Sequence, residues 1–244
     1  HALRAAEENQ AYLKIAYNYK AISLLNQDQL NRAEAYFLKA REVDGRQLKV
    51  DANVALVGAN IYLKMKEFDQ ALEEIQAALA SRMVGFEPKH YYENPALNQI
   101  EDISMALDLL EMKAEILFEK ANARNSTKDL EVALVVYQLL DALVIKSRST
   151  YLNSKSKELM SANAHTLYAG AIAVLHQLYE QTLDPAYFDM ALGFSEKNKS
   201  LSLTEKLNDL YARSFANIPG NIVKKERQLL QEIEFYNNQL LRYK

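Results

Sequence analysis

Residues 52–79 read ANVALVGANIYLKMKEFDQALEEIQAAL. Ala59 and Tyr62 stand three apart, Phe68 and Ala71 follow after a tight turn, and Ile75 and Ala78 come next. Antiparallel helices approach closely only where side chains are small, so Ala59 and Ala71 mark a contact between two short helices folded back on each other. Tyr62, Phe68 and Ile75 fill the space where those helices diverge, and Ala78 leaves room for a neighbouring hairpin.

Weaker copies flank this stretch. In a first hairpin over residues 3–43, Ile15, Ala16 and Tyr19 repeat the first-helix pattern, and Ala33, Phe37 and Ala40 repeat the second. Ala16 and Ala33 lie five residues further apart than Ala59 and Ala71, which predicts helices extended past the standard turn at Asn26-Gln27-Asp28. Asp44-Gly45 then ends the second helix. The template hairpin spans 51–82, and MVGFEPKHYYENP (83–95) follows as the one long irregular stretch. Its Phe86, Tyr91 and Tyr92 read as cover for an apolar edge of the array. Asn94-Pro95 offers a cap and first-turn proline for a third hairpin over 96–146, with Ala114 and Leu117, a capping box at Ser126 and Asp129, then Ala133 and Tyr137. A fourth, over 149–198, carries Ala171 and Val174, then Asp184-Pro185 and Tyr187, Ala191 and Ser195. A closing helix covers 201–215, so the array occupies 1–216, and Ile218-Pro219-Gly220 breaks the chain. Residues 217–244 then form a C-terminal helix whose stripe of Ile222, Leu229, Ile233, Tyr236 and Leu240 calls for a partner, and which leads to a further domain.

Composition narrows the classes. Six Gly and four Pro among 244 residues favour long helices over strands and turns. A formal charge of −3 gives no reason to expect a nucleic-acid partner. Without cysteine there is no disulfide framework, thiol nucleophile or cysteine-held zinc, which fits a cytoplasmic protein. No apolar run reaches the roughly 18 residues of a membrane span, and HALRAAEENQ is no signal peptide. His1 in place of Met reads as a piece of something longer.

Small-x-x-Tyr followed by Ala-x-x-x-large resembles the tetratricopeptide repeat, whose period is about 34 residues. That resemblance implies an all-α, right-handed α-α superhelix of helical hairpins. The last quarter is more particular. YEQTLDPAYFDMALGFSEKNKSLSLTEKL (179–207) and NIPGNIVKKERQLLQEIEFYNNQL (217–240) resemble the segment that joins the tetratricopeptide array to the peptidase in bacterial CHAT-domain proteins. The matching residues are Ser195 to Ser200, Ile218-Pro219 and Glu226 to Leu229. The family's peptidase uses a His and a Cys; this chain has no Cys and stops where that domain would start. The resemblance therefore implies a recognition or regulatory portion of a caspase-like peptidase, with no enzyme in this stretch and an intramolecular peptidase domain as one partner.

Catalytic and metal-binding constellations are absent from the sequence pattern. His165 and His176 are eleven residues apart on one helix. That is roughly 16 Å, too far to share a metal. Ser154-x-x-Lys157 lacks the companion elements of the penicillin-recognising enzymes. No cofactor or metal is expected. The resemblance instead implies a concave groove lined by each hairpin's first helix. Its outward positions are Leu13 and Tyr17, then Asn53, Leu56, Asn60 and Lys64, then Glu111 and Glu115, then His165, Tyr168 and Ile172. Asn and Lys at one point and Glu at another suit an extended peptide or partner domain held by backbone and charge. The alternative is a free-standing scaffold that self-associates through its C-terminal helix.

Overall fold

The computed structural model describes residues 2–43, 50–150 and 154–215, with Lys225, Gln228, Leu229 and Glu232. Among them the chain is all-α. Helices α1 (Ala2–Asn26) and α2 (Leu30–Val43) form the first hairpin, and α3 (Ala52–Lys64) and α4 (Phe68–Arg82) the second. Helices α5 (Ile103–Arg124) and α6 (Thr127–Thr150) form the third, and α7 (Ser154–Thr182) and α8 (Pro185–Phe215) follow. Residues 1–198 make one compact unit; a second begins at Lys199, and α8 runs continuously from Pro185 to Phe215 where the sequence pattern placed two helices. Asp44-Gly45, the break at Ile218-Pro219-Gly220 and most of the expected C-terminal helix lie outside the described residues.

The hairpin turns share one device. Asp28, Lys66, Asn125 and Leu183 all take positive φ, between 50° and 63°. In the first three, the next backbone N–H reaches back five residues: Gln29 to the Leu24 carbonyl at 2.9 Å, Glu67 to Tyr62 at 2.8 Å and Ser126 to Ala121 at 3.1 Å. This closes orphan carbonyls at the helix end. The shared turn corrects the register of the first hairpin. Asp28 stands seven residues after Ala21, as Lys66 does after Ala59, so Ala21 and Leu24 are the buried α1 positions facing Ala33, Phe37 and Ala40. Ile15, Ala16 and Tyr19 are exposed; α1 is extended at its N-terminal end, not at the turn.

Phe37 is fully buried and meets Tyr62 edge-on, with ring centroids 5.9 Å apart. The bare Cα of Gly58 admits its ring, so α2 and α3 approach through an aromatic set against a glycine.

Residues 83–102 are held by two lysines of α5. Lys113 is 0% exposed, and its Nζ donates to Gln76 Oε1 (2.9 Å), the Glu93 carbonyl (2.7 Å) and Asn94 Oδ1 (2.8 Å). Two turns on, the Lys120 Nζ reaches Tyr91 Oη (2.8 Å), Asp69 Oδ1 (2.9 Å) and Asp129 Oδ1 (3.6 Å). Burial opposes the Lys120 charge, but those hydrogen bonds raise its pKa overall, and the Lys120 contact chiefly holds Asp69 down at about 2. Met83 and Phe86 are buried as cover, whereas Tyr91 and Tyr92 serve as hydrogen-bonding struts.

This clamp explains two departures from the sequence pattern. Gln99 bridges residues 96 and 84–85 through its side chain and carbonyl, so Pro95 leads into a 3₁₀ turn, Leu97–Gln99, and Asp102 caps α5 by accepting the Met105 N–H at 3.1 Å. The Asp129 N–H donates to Ser126 Oγ at 3.2 Å, but the Asp129 carboxylate is taken by Tyr92 at 2.6 Å. Only half of the expected capping box forms.

Candidate functional site

Within residues 1–198, α1 touches α3, α3 touches α5 and α5 touches α7, whereas α2, α4 and α6 do not touch one another among the described residues. Layers of helical hairpins that meet on one side and splay on the other curve toward the side that meets. The first helices therefore form the inner, concave layer.

Between α1 and α3 that layer opens into a cleft of about 490 Å³. Lys14, Ile15, Asn18, Tyr19 and Ile22 line one wall, and Asp51, Asn53, Val54, Leu56 and Val57 the other. The Lys14–Asp51 ion pair, at 2.8 Å, joins the two walls. Asp51 also caps α3, accepting the N–H groups of Asn53 (3.0 Å) and Val54 (3.4 Å). Burial works to raise its pKa, but Lys14 and the cap together hold it below the ordinary carboxylate value. Ile15 is 48% and Tyr19 68% exposed, and the buried Asn18 Oδ1 accepts no hydrogen bond among the described residues. A buried acceptor without a donor is costly, which marks this oxygen as unusual.

Asn53 and Leu56 are the predicted groove residues that line the cleft. Tyr17 turns to the other side of α1, its ring 6.0 Å from Tyr36 with the Lys39 ammonium over both. Asn60 is half-buried, and the exposed Lys64 lies 3.7 Å from Asp28 across the two hairpin turns. His165 is half-buried and its Nδ1 hydrogen-bonds Asn198 Oδ1. Tyr168 does not face outward as the pattern placed it. It is 2% exposed, packs on Phe194 at 5.8 Å and donates to Asp141 Oδ1 at 2.9 Å. Lys197 reaches the same carboxylate at 2.5 Å, so Asp141 ties α6, α7 and α8 together.

Glu111 and Glu115 lie on α5 in line with Asp108 and Glu119. Such i, i+3 and i, i+4 spacings stack carboxylates on one helix face. Glu111 is half-buried, and no basic side chain pairs with Asp108, Glu111 or Glu115 among the described residues. Burial raises the pKa of all three, and neighbouring carboxylates add to the rise. Tyr137 of α6 comes up between α5 and α7. Its hydroxyl occupies the space a side chain on Gly170 would need, with Cζ 2.8 Å from that Cβ position. Burial raises the phenol's pKa, and the charges of Glu111 and Glu115 raise it further.

No family model, curated protein or solved structure matches this chain. Its chemistry is legible only from its own geometry. Among the described residues no group of three or more His, Asp or Glu could hold a metal ion, and no helix is long and apolar enough to cross a membrane.

The exposed Ile15 and Tyr19, and Asn18 between them, are what the sequence pattern missed. The signal was there: Ala21 and Ala33 stand twelve apart, as do Ala59 and Ala71. Aligning on that spacing moves Ile15 and Tyr19 out of the core.

Proposed function

We propose that this chain is a protein–protein interaction module that holds an extended segment of a partner along its concave layer. The observation that carries the reading is the α1–α3 cleft, with apolar side chains left in water beside a buried carbonyl oxygen, Asn18 Oδ1, that lacks a donor. An extended peptide supplies both missing halves: apolar side chains for Ile15 and Tyr19, and a backbone N–H for Asn18. The tetratricopeptide-like spacing supports the same use. The resemblance of residues 179–207 and 217–240 to CHAT-domain proteins extends the reading to the regulatory part of a cysteine peptidase. The reading assigns this stretch no catalytic step and needs no cofactor.

A displayed random-peptide library selected on the whole chain tests it. Enriched peptides should lose at least about tenfold in affinity to Tyr19→Ala and to Asn18→Leu, roughly 1.4 kcal/mol. Val135→Ala, at an exposed position on α6, should leave them bound. Peptides held equally well by Tyr19→Ala, or no enrichment at all, would refute the groove.

A further inference from the structure

The lining of the α1–α3 cleft constrains the chemistry of what it holds. Its walls run in one direction and nearly in register. Lys14 meets Asp51 at one end, 37 residues on, and Asp28 meets Lys64 at 3.7 Å at the other, 36 residues on. From Lys14 to Ile22 the α1 wall rises about 12 Å. An extended chain covers that length in about three to four residues, and its successive side chains point to opposite sides. Two side chains of such a segment, separated by one residue, therefore face the lining.

Charge is balanced there. Of the ten lining residues Lys14 and Asp51 carry charge, and they pair with each other at 2.8 Å. Ile15, Tyr19, Ile22, Val54, Leu56 and Val57 supply the apolar surface. A charged side chain brought against them loses water and meets no net countercharge, which is costly. Asn18 sets the polar requirement. Its Oδ1 is buried without a donor, so it asks for an N–H and not for another acceptor. The oxygen is closed to solvent, but Asn18 lines the cleft, and rotation about its soft terminal torsion turns the amide toward an occupant. Side-chain adjustments of this kind commonly accompany binding.

We propose that the cleft reads an uncharged apolar-x-apolar element of the partner polypeptide, and that one backbone N–H of this element donates to Asn18 Oδ1. The inference rests on the groove reading and names the chemistry of the segment held there. Proline is refused at the donating position, because it has no N–H. Lysine, arginine, aspartate and glutamate are refused at both apolar positions.

The test uses the most enriched peptide of the displayed library, labelled with fluorescein and measured by anisotropy on the whole chain. Each backbone amide is exchanged in turn for an ester, which removes one N–H and leaves the side chains in place. At one position the ester should bind wild type about tenfold more weakly, since it leaves the buried oxygen unpaired. Against Asn18→Leu the same ester should bind as well as the amide or better, because the amide N–H then has no acceptor. A merely structural role for Asn18 would not invert that order. Glutamate at either apolar position should cost wild type about tenfold or more. Asp51→Asn shifts the lining one unit positive and keeps a residue that caps helices equally well. It should recover about threefold of the glutamate loss and none of the loss caused by lysine.

Esters that all bind wild type like the amide, or that lose equally against Asn18→Leu, overturn the N–H assignment. Enriched peptides with charged residues at the apolar positions, or a glutamate peptide indifferent to Asp51→Asn, overturn the neutral anchor. The groove reading fails separately. Peptides that need Tyr19 but show no ester position coupled to Asn18 would leave the groove and remove this inference, whereas a library that enriches nothing removes both.

Discussion

Replacing Gly58 by alanine sets two physical effects against each other, and the structure decides the sign. Alanine is the better helix former in a helix interior by about 1 kcal/mol. Against this, a Cβ at residue 58 would enter the Phe37 ring, with Cδ2 at 3.0 Å and two further ring carbons closer still. Phe37 is 0% exposed and boxed by Tyr62 at 5.9 Å, so its ring has nowhere to swing. Overpacking of this kind costs about 1–3 kcal/mol. With the ring unable to yield, the upper part of that range applies and Gly58→Ala should lose about 1–2 kcal/mol net. For a chain of this size that is roughly 2–8 °C in melting temperature. Urea unfolding followed by far-ultraviolet circular dichroism measures it. Gly193→Ala on α8 is the internal control, because nothing lies within 4 Å of its Cβ position and only the propensity gain remains. Adding Phe37→Leu to Gly58→Ala should recover part of the loss, so the pair is non-additive by about 1 kcal/mol. If Gly58→Ala stabilises as much as Gly193→Ala does, the close approach of α2 and α3 is not what holds these hairpins together.

Two other predictions concern stability. Burial pulls Lys113 down from 10.5 to about 7. Between those values the unfolded chain binds a proton that the folded chain does not, so stability should rise with pH across that window, by up to about 1.4 kcal/mol per pH unit. Lys113→Met should flatten the rise, and parallel urea midpoints for the two proteins from pH 7 to 10 would refute it. Lys66 and Leu183 hold positive φ at their turns, 63° and 57°, where glycine is the relaxed choice. Lys66→Gly and Leu183→Gly should each gain about 0.5–1 kcal/mol, the left-handed strain relieved less the extra entropy of the unfolded chain; a lower thermal midpoint for either would refute the strain.

The hairpins were readable because helix pairs obey a local rule: small residues at the crossing, large ones where the helices part. Ala59, Ala71 and Tyr62 state that rule within twenty residues of chain. The same rule admitted two registers for the first hairpin, since Ala16 and Ala21 are equally small. The Asp28 turn chose between them. Asn53 and Leu56 were placed on the concave layer by counting from Ala59, and they line the cleft. Tyr168 was counted the same way and is buried, because Phe194 and Asp141 come from helices whose approach no local spacing encodes.

What the sequence determined alone was the all-α class, the hairpin order and the small-residue crossings, for these depend on periodicity and on side-chain size at neighbouring turns. The tertiary structure decided which polar groups meet. Lys113 and Lys120 look like ordinary solvated lysines on α5 until residues 83–102 fold over them. Tyr168 looks like an outward-facing tyrosine until Asp141, 27 residues back, and Phe194, 26 on, close around it. Charge and hydrogen bonding act through space, between residues that sequence spacing does not relate, and so their outcome is fixed only when the hairpins pack.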